Sequence, residues 1–454
     1  MDINEIIVKI NELLENRRIA ELHNFLEEIQ NADFPEIFEE LPENKVIMVY
    51  RLLSKEKAAE VFVELDSDDQ EKLISVLSDK EIKIVMDEIN MDDATDLIEE
   101  MPATVVKRIL KNTKPEDRKI INELLKYPDA TAGSIMTTEF MDLKENMTID
   151  QCFDRIKKQG IKSETLYNCF VLTVDRKLLG IVDIKDLLLA DRDEIVKDIM
   201  FSDLVSCHTL DDQEEIAKNF EKYDIVSMPV VDNENRLVGI ITIDDAIDVM
   251  REETTEDFRK MAAIINPDDD VSYFKVGVFK HARNRIVWLF VLMLSSIITG
   301  NIITNYENAI ATLPLLVGFI PMIMGTGGNC GSQSATLIIR GLAMDEITIK
   351  DAFKVIWKEL RVSLLVGITL AVVNMGRIMI QYRGNDEVFK MSISVSIALM
   401  GTVVLAKLIG GLLPLGAKAL KMDPAVMAAP LLTTVVDAVS ASVYFFIVTM
   451  VFGL

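Results

Sequence analysis

Ala425 to Phe452 is a run of 28 mostly apolar residues with one carboxylate, Asp437, near its middle. As a helix it would span roughly 42 Å, more than the hydrocarbon core of a bilayer requires. An ionised Asp at that depth costs several kcal/mol unless it faces protein, water or a cation. Helical spacing puts Pro430, Thr433, Thr434, Ser440 and Ala441 on the face that Asp437 occupies. That small, polar stripe suits a cation site in a pore. A carboxylate buried against Lys407, which lies in another apolar span, is the alternative these residues leave open.

The chain of 454 residues is long enough for about three domains, and its charge is unevenly spread. From His281 onward there are 9 acidic and 13 basic residues; the first 280 residues hold 64 acidic and 35 basic ones. So acidic a soluble part argues against nucleic acid and for metal cations or a basic partner, unless the charge serves solubility alone. Cys152, Cys169, Cys207 and Cys330 have no paired metal-ligand spacing and read as reduced, buried thiols. Three unclustered histidines argue against zinc. The N-terminus is an acidic amphipathic helix without a signal pattern, so the soluble part is expected in the cytoplasm.

A twelve-residue step runs through residues 1–127: Leu41, Leu53, Leu65, Leu77, Ile89 and Met101 recur, followed by Pro42, Ser54, Asp66, Ser78, Asn90 and Pro102. The followers are helix-initiating types, so each step is a short helix that must stack on its neighbours as an α-solenoid. Asp92, Asp93 and Asp96 gather at one helix start, where capping explains one or two of them. Three together make a candidate patch for a hydrated divalent ion.

Residues 170–186 and 228–245 carry one pattern twice, fifty-nine residues apart, with Gly180 matching Gly239 and Asp186 matching Asp245. Two β-branched runs around a polar turn predict a hairpin, flanked by amphipathic helices. The tandem resembles a pair of CBS domains. Such pairs are regulatory and often bind adenine nucleotides in their cleft, which makes ATP a candidate ligand; Asp186 and Asp245 match the ribose-holding position. A purely structural hairpin stays open. An acidic run follows: Asp244, Asp245, Asp248, Glu252, Glu253, Glu256 and Asp257. Asp245, Asp248 and Glu252 share a helix face and repel, as a cation-sensing surface or a solvated one would.

Pro267 to Asp270 breaks the chain, and an amphipathic helix is expected over Val271–Lys280. The basic cluster Lys280, His281, Arg283 and Arg285 then marks the cytoplasmic side of the first span. Spans are expected at about 286–305, 314–338, 355–381, 391–417 and 425–452, which puts the C-terminus outside. Span two is rich in glycine, and Gly325 to Ser334 predicts an interrupted helix whose freed backbone Asn329, Ser332 and Gln333 would satisfy. Close helix packing is the alternative. Lys407 is expected to face away from the ion path, toward carbonyls or a carboxylate, and Arg377 to snorkel outward.

The order of parts is a multidomain membrane protein: an N-terminal α-solenoid (1–127), tandem CBS α/β domains (128–198 and 199–257), a connecting helix (258–284) and a five-helix all-α transmembrane domain (285–454). With Gly325-Thr-Gly-Gly-Asn-Cys-Gly-Ser-Gln-Ser-Ala-Thr and Asp423-Pro-Ala…Pro430-Leu-Leu-Thr-Thr-Val-Val-Asp437, it resembles the MgtE-type magnesium channels. The resemblance implies a homodimer in the plasma membrane, with hydrated Mg²⁺ held by Asp437 of both chains, and Thr433, Asn329 and Asp423 as further metal-site residues. It also implies Mg²⁺-sensing carboxylates in the cytosol: Asp92, Asp93, Asp96, Glu214, Asp224, Asp245, Asp248, Glu253, Glu256 and Asp257. Ala429 departs from the amide that some members carry before Pro430. Rising Mg²⁺ would bridge the acidic parts and hold a closed state. The rival expectations are a channel or carrier for Mn²⁺, Co²⁺ or Ca²⁺, and a nucleotide-sensing CBS protein with a membrane anchor. No nucleophile–base pairing or phosphate loop suggests an enzyme.

Overall fold

The computed structural model of the chain describes residues 2–264, 276–312, 314–427 and 429–453, and divides it into the units Met1–Glu253 and Thr254–Leu454. The first unit begins with α1 (Ile3–Glu15), α2 (Ile19–Glu28), α3 (Phe34–Glu40), α4 (Glu43–Tyr50) and α5 (Lys55–Val63). It continues with α6 (Ser67–Val76), α7 (Asp79–Glu88), α8 (Met91–Glu100), α9 (Ala103–Asn112) and α10 (Pro115–Leu124). Pro42, Ser54, Asp66, Ser78, Asn90 and Pro102 are the N-caps of α4 to α9 in turn. Ser78 and Glu81 form a reciprocal capping box, which satisfies two backbone donors at the start of α7. The apolar residue before each cap is buried, from Leu77 at 2% exposed to Leu53 at 9%. Alternate helices stack, α5 on α7, α7 on α9 and α8 on α10, as a short solenoid repeat requires.

Two α/β copies follow. The first has β1 (Phe140–Lys144), α11 (Ile149–Gln159), β2 (Thr165–Leu172), β3 (Leu178–Asp183), α12 (Ile184–Leu189) and α13 (Val196–Ile199). The second has β4 (Cys207–His208), α14 (Gln213–Tyr223), β5 (Ser227–Val231), β6 (Leu237–Thr242) and α15 (Ile243–Met261). In each sheet the middle strand pairs antiparallel with the third and parallel with the first. The hairpins are those the repeat predicts. The parallel strands β1 and β4 are absent from that expectation, because five and two residues are too few to display a period.

A pseudo-two-fold relates the copies at the turns of their hairpins. Leu178 N donates to Asn235 O and Leu237 N to Arg176 O, each 3.0–3.1 Å, and Lys177 bridges Arg236. These partners are the fifty-nine-residue equivalents of one another. Phe170, Leu172, Leu237 and Ile240 fill the space between the sheets. The core of the second copy runs on into the helical array, joining Phe220, Val230 and Ile241 to Leu97 and Ile121. Array and second copy therefore close over one another within the first unit.

The second unit holds α16 (Val278–Asn305), α17 (Glu307–Thr312), α18 (Ile320–Ala343), α19 (Ala352–Gln381), α20 (Val388–Ala419) and α21 (Ala429–Phe452). Among the described residues, four stretches are long and apolar enough to cross a membrane: Val278–Asn305, Ile349–Gln381, Val388–Ala419 and Pro430–Phe452. The helix α18, expected as a fifth span, is the glycine-rich and more polar one. It packs on α20 and α21, while α19 packs on α20 and α16 on α21. Two expectations are corrected here. Gly325 to Ser334 is uninterrupted α-helix, and three of its glycines, Gly327, Gly328 and Gly331, serve close packing rather than a break. A Cβ at Gly410 would collide with the Gly331 carbonyl, so closely do α18 and α20 approach. The last span starts at Ala429 and not at 425, because Pro424–Met427 forms a 3₁₀ turn first. The break at 267–270, most of the helix expected over 271–280, and the side chain of Ala429 lie outside the described residues. Lys280 to Arg285 belong to the first turns of α16.

Candidate cation sites

In the membrane unit the site grows from the start of α21. Asp423 Oδ1 accepts from Ala425 N at 2.8 Å and sets the turn that leads into the helix. Pro430 stands in the first turn, where a missing N–H is harmless. Its carbonyl accepts from the hydroxyls of both Thr433 and Thr434 at 3.0 Å. One turn on lies Asp437, half-buried, and no ion pair is found for it among the described residues. Lys407 does not neutralise it: Lys407 Nζ donates instead to Ser334 Oγ at 3.2 Å. Against α21, α18 turns its small residues. A Cβ at Gly327 would meet Ser440 Oγ at 2.5 Å, and one at Gly328 would meet the Thr433 methyl at 3.4 Å. The opposite side of α18 carries Asn329, Gln333 and Thr336, all exposed.

In the soluble unit, carboxylates from three parts of the chain converge. Asp92 and Asp93 open α8 and Asp96 follows one turn on. Asp245 opens α15, its Oδ2 accepting from Thr242 Oγ1 at 2.6 Å. Glu139 Oε2 accepts from Met91 N at 3.3 Å, so a residue beside β1 caps α8. Glu164 N donates to the Glu139 carbonyl at 2.7 Å, which brings the Glu164 carboxylate alongside. Burial, with added repulsion from neighbouring carboxylates, pushes Asp92, Asp93 and Asp245 up to about 7. The same causes push Asp96 and Glu164 up to about 8. Glu139 is raised by burial, and Glu64 by burial and then by Asp248. Asp92 is only 9% exposed, and its Oδ1 has no hydrogen-bond partner; neither has Glu164 Oε2. Buried, unpartnered oxygens of hard donors fit a divalent cation that prefers oxygen ligands. Among the described residues no three His, Cys, Asp or Glu side chains converge at direct metal-ligand distance.

The remaining carboxylates named from the sequence are dispersed. Glu214 pairs with Lys218 at 2.8 Å, and Asp224 is the left-handed C-cap of α14, with φ 51°. Glu253 accepts from Gln213 Nε2 at 2.9 Å, and Asp248 lies near Glu64 on an exposed turn of α15. In the second unit, Lys260 Nζ sits between Glu256 at 2.7 Å and Asp423 at 2.8 Å. Partial burial works against that ammonium, but its bonds to Asp423 and Glu256 hold it above its usual value. Asp257 follows Glu256 on the same half-buried turn. The Asp245 carboxylate bonds to Thr242 and lies among the acids of the cluster.

Glu64, Glu139 and Glu164 are not legible in the sequence as site residues, because only the tertiary fold brings each beside the acids of α8 and α15. Glu139, in the Met136-Thr-Thr-Glu-Phe segment that opens the first copy, had the best local signal.

Comparison with known proteins follows the same division of the chain. The MgtE family, described as a divalent cation transporter, matches residues 320–447; the MgtE intracellular N domain matches 29–130, and CBS domains match 132–193 and 196–252. The chain is 32% identical over 444 residues to the magnesium transporter MgtE of Thermus thermophilus, covering 97% of each. It is 30% identical over 449 residues to the magnesium transporter MgtE of Bacillus subtilis, covering 99% of this chain and 98% of that one. Among solved structures, the soluble part of a magnesium transporter is similar at 29% identity and TM-score 0.52, covering 56% of this chain and 99% of that one. The cytosolic domain of the Mg²⁺ channel MgtE in complex with ATP is similar at 32% identity and TM-score 0.51, covering 54% and 99%.

Proposed function

The chain belongs to the MgtE family of magnesium transporters, and on that premise we propose that it conducts Mg²⁺ through a membrane along a path that Asp437 lines. The observation that carries this is the half-buried Asp437 on an apolar helix, with Lys407 engaged elsewhere. A carboxylate left without a protein counter-charge in a bilayer is sustained by water and a passing cation. Mg²⁺ holds its hydration shell tightly, so one carboxylate and the adjoining threonine hydroxyls suffice to attract it without a closed cage. The exposed polar face of α18, with Asn329, Gln333 and Thr336, cannot rest against lipid either. It is accounted for by a second copy and a water-filled passage, so the working unit is a homodimer with one Asp437 from each chain.

The soluble unit is the sensor and lies in the cytoplasm, with the C-terminus outside. Asp92, Asp93, Asp96, Asp245 and Glu164 repel across the joint between the helical array and the two α/β copies. Divalent cation bound there supplies the missing positive charge, while Glu139 at the Met91 N–H keeps the parts in register. Because α15 carries Asp245 at its start and Glu256 and Lys260 near its end, closure at the joint is felt by the chain that leads to Asp423 and α21. Glu214, Asp224, Asp248, Glu253 and Asp257 contribute to the long-range attraction. The relative crystallised with ATP supports ATP as a second ligand of the paired copies. Uptake of radiolabelled Mg²⁺ into liposomes that contain only this chain tests the proposal. Uptake that Mn²⁺, Co²⁺ and Ca²⁺ compete for weakly supports it; preferred transport of one of those ions would redirect it.

A further inference from the structure

Three charged or polar side chains lock together inside the membrane unit, and Asp437 is not one of them. Ser334 of α18 donates its hydroxyl proton to Glu359 Oε2 of α19 at 2.6 Å, and Lys407 of α20 donates to the same hydroxyl at 3.2 Å. All three are buried: Ser334 at 0%, Lys407 at 5% and Glu359 at 7% exposed. A lone ammonium or carboxylate in so apolar a place is strongly disfavoured, and the two become tolerable only as a neutral set. Glycine makes the arrangement geometrically feasible. Gly410 lets α20 approach the Gly331 backbone of α18, and a Cβ at Gly411 would lie 3.4 Å from Glu359 Cγ. The set is also next to the ion path. Gly331 packs between the Ala406 carbonyl and the Val436 side chain. Lys407 follows Ala406, and Asp437 follows Val436, so the two charges flank a single three-helix contact.

We propose that Glu359, through Ser334, is a positioning residue for cation transport: it cancels the charge of Lys407 beside the Asp437 path and pins α18 to α19 and α20. The inference rests on the transport reading above. In the low-dielectric interior, an unmasked Lys407 would repel an approaching cation at this range, and an unmasked Glu359 would attract it. A merely structural clamp has no such sign.

The test uses the full chain in liposomes, with the initial rate of Mg²⁺ uptake measured against external Mg²⁺ for Glu359→Gln, Lys407→Met and the double variant. Glu359→Gln is expected to raise the half-saturating Mg²⁺ concentration by about tenfold. Lys407→Met is expected to leave it unchanged or lower it, and the double variant to return it to within about twofold of the parent. Half-saturation that moves the same way in both single variants, or only a lower maximal rate in each, would overturn the proposal. Thermal midpoints of the same proteins read the pair independently of transport: each single variant falls, and the double recovers most of the loss. Additive losses there would overturn the coupling of the pair even if the parent moved no Mg²⁺, whereas loss of parental transport with the coupling intact would defeat the transport reading alone. If Glu359→Gln does not fold, Ser334→Ala keeps both charges, removes their bridge, and is expected to raise half-saturation several-fold.

Discussion

A lysine in a membrane-crossing helix is the residue whose surroundings decide most here. Had Lys407 met Asp437, the last span would carry an internal ion pair and no reason to hold a metal. It meets Ser334 instead, and among the described residues no ion pair is found for Asp437. A second lysine is informative in the opposite sense. Lys260 holds Glu256 and Asp423 together at 2.7 and 2.8 Å, a protein-borne cation between two acids. Lys260→Met should leave two facing carboxylates that only an added cation reconciles. Flux at low internal Mg²⁺ is therefore expected to rise several-fold, while high internal Mg²⁺ still closes the variant. A dose–response of flux against internal Mg²⁺ checks this; an unchanged curve would show that the lysine contact carries no gating role.

At the scale of elements, caps and carboxylates make distinct predictions. Ser78→Ala removes the capping box of α7 and is expected to cost about 1 kcal/mol in urea unfolding of residues 1–264. Five acids of the soluble unit have pKa values raised to about 7 or 8, above their unfolded values. In the folded unit they hold protons that the unfolded chain has already released, so stability falls as pH rises from about 4 toward 8. Without divalent ions the thermal midpoint of residues 1–264 should drop by several degrees between pH 5.5 and pH 8. Millimolar Mg²⁺ should abolish most of that drop. A flat profile would mean that these acids are not confined together.

The helical array was readable because its period of twelve residues places a cap and a buried apolar residue at each break. The hairpins were readable because they occur twice. The parallel strands were not, being too short to show a period, and neither were the capping of α8 by Glu139 and the meeting of Ser334 with Glu359, which join segments far apart in the chain. The interruption expected at Gly325–Ser334 shows the limit of composition. Glycine permits a broken helix and a tightly packed one equally, and here Ser440, Thr402 and the Gly410 backbone fill the space.

For the whole molecule, an acidic soluble half and a mildly basic membrane half underlie the proposal that the transported ion also gates its own path. Neutralising the sensor at its joint, with Asp92, Asp93 and Asp245 changed to Asn, should leave transport running at internal Mg²⁺ concentrations that shut off the parent. Retained inhibition would move the sensor elsewhere, to the Glu256–Lys260–Asp423 contact first. The most direct test of the central claim is radiolabelled Mg²⁺ flux through liposomes bearing Asp437→Ala, in protein first shown by light scattering to keep the parental mass and fold. The account predicts that flux drops at least a hundredfold; flux at the parental rate would contradict it.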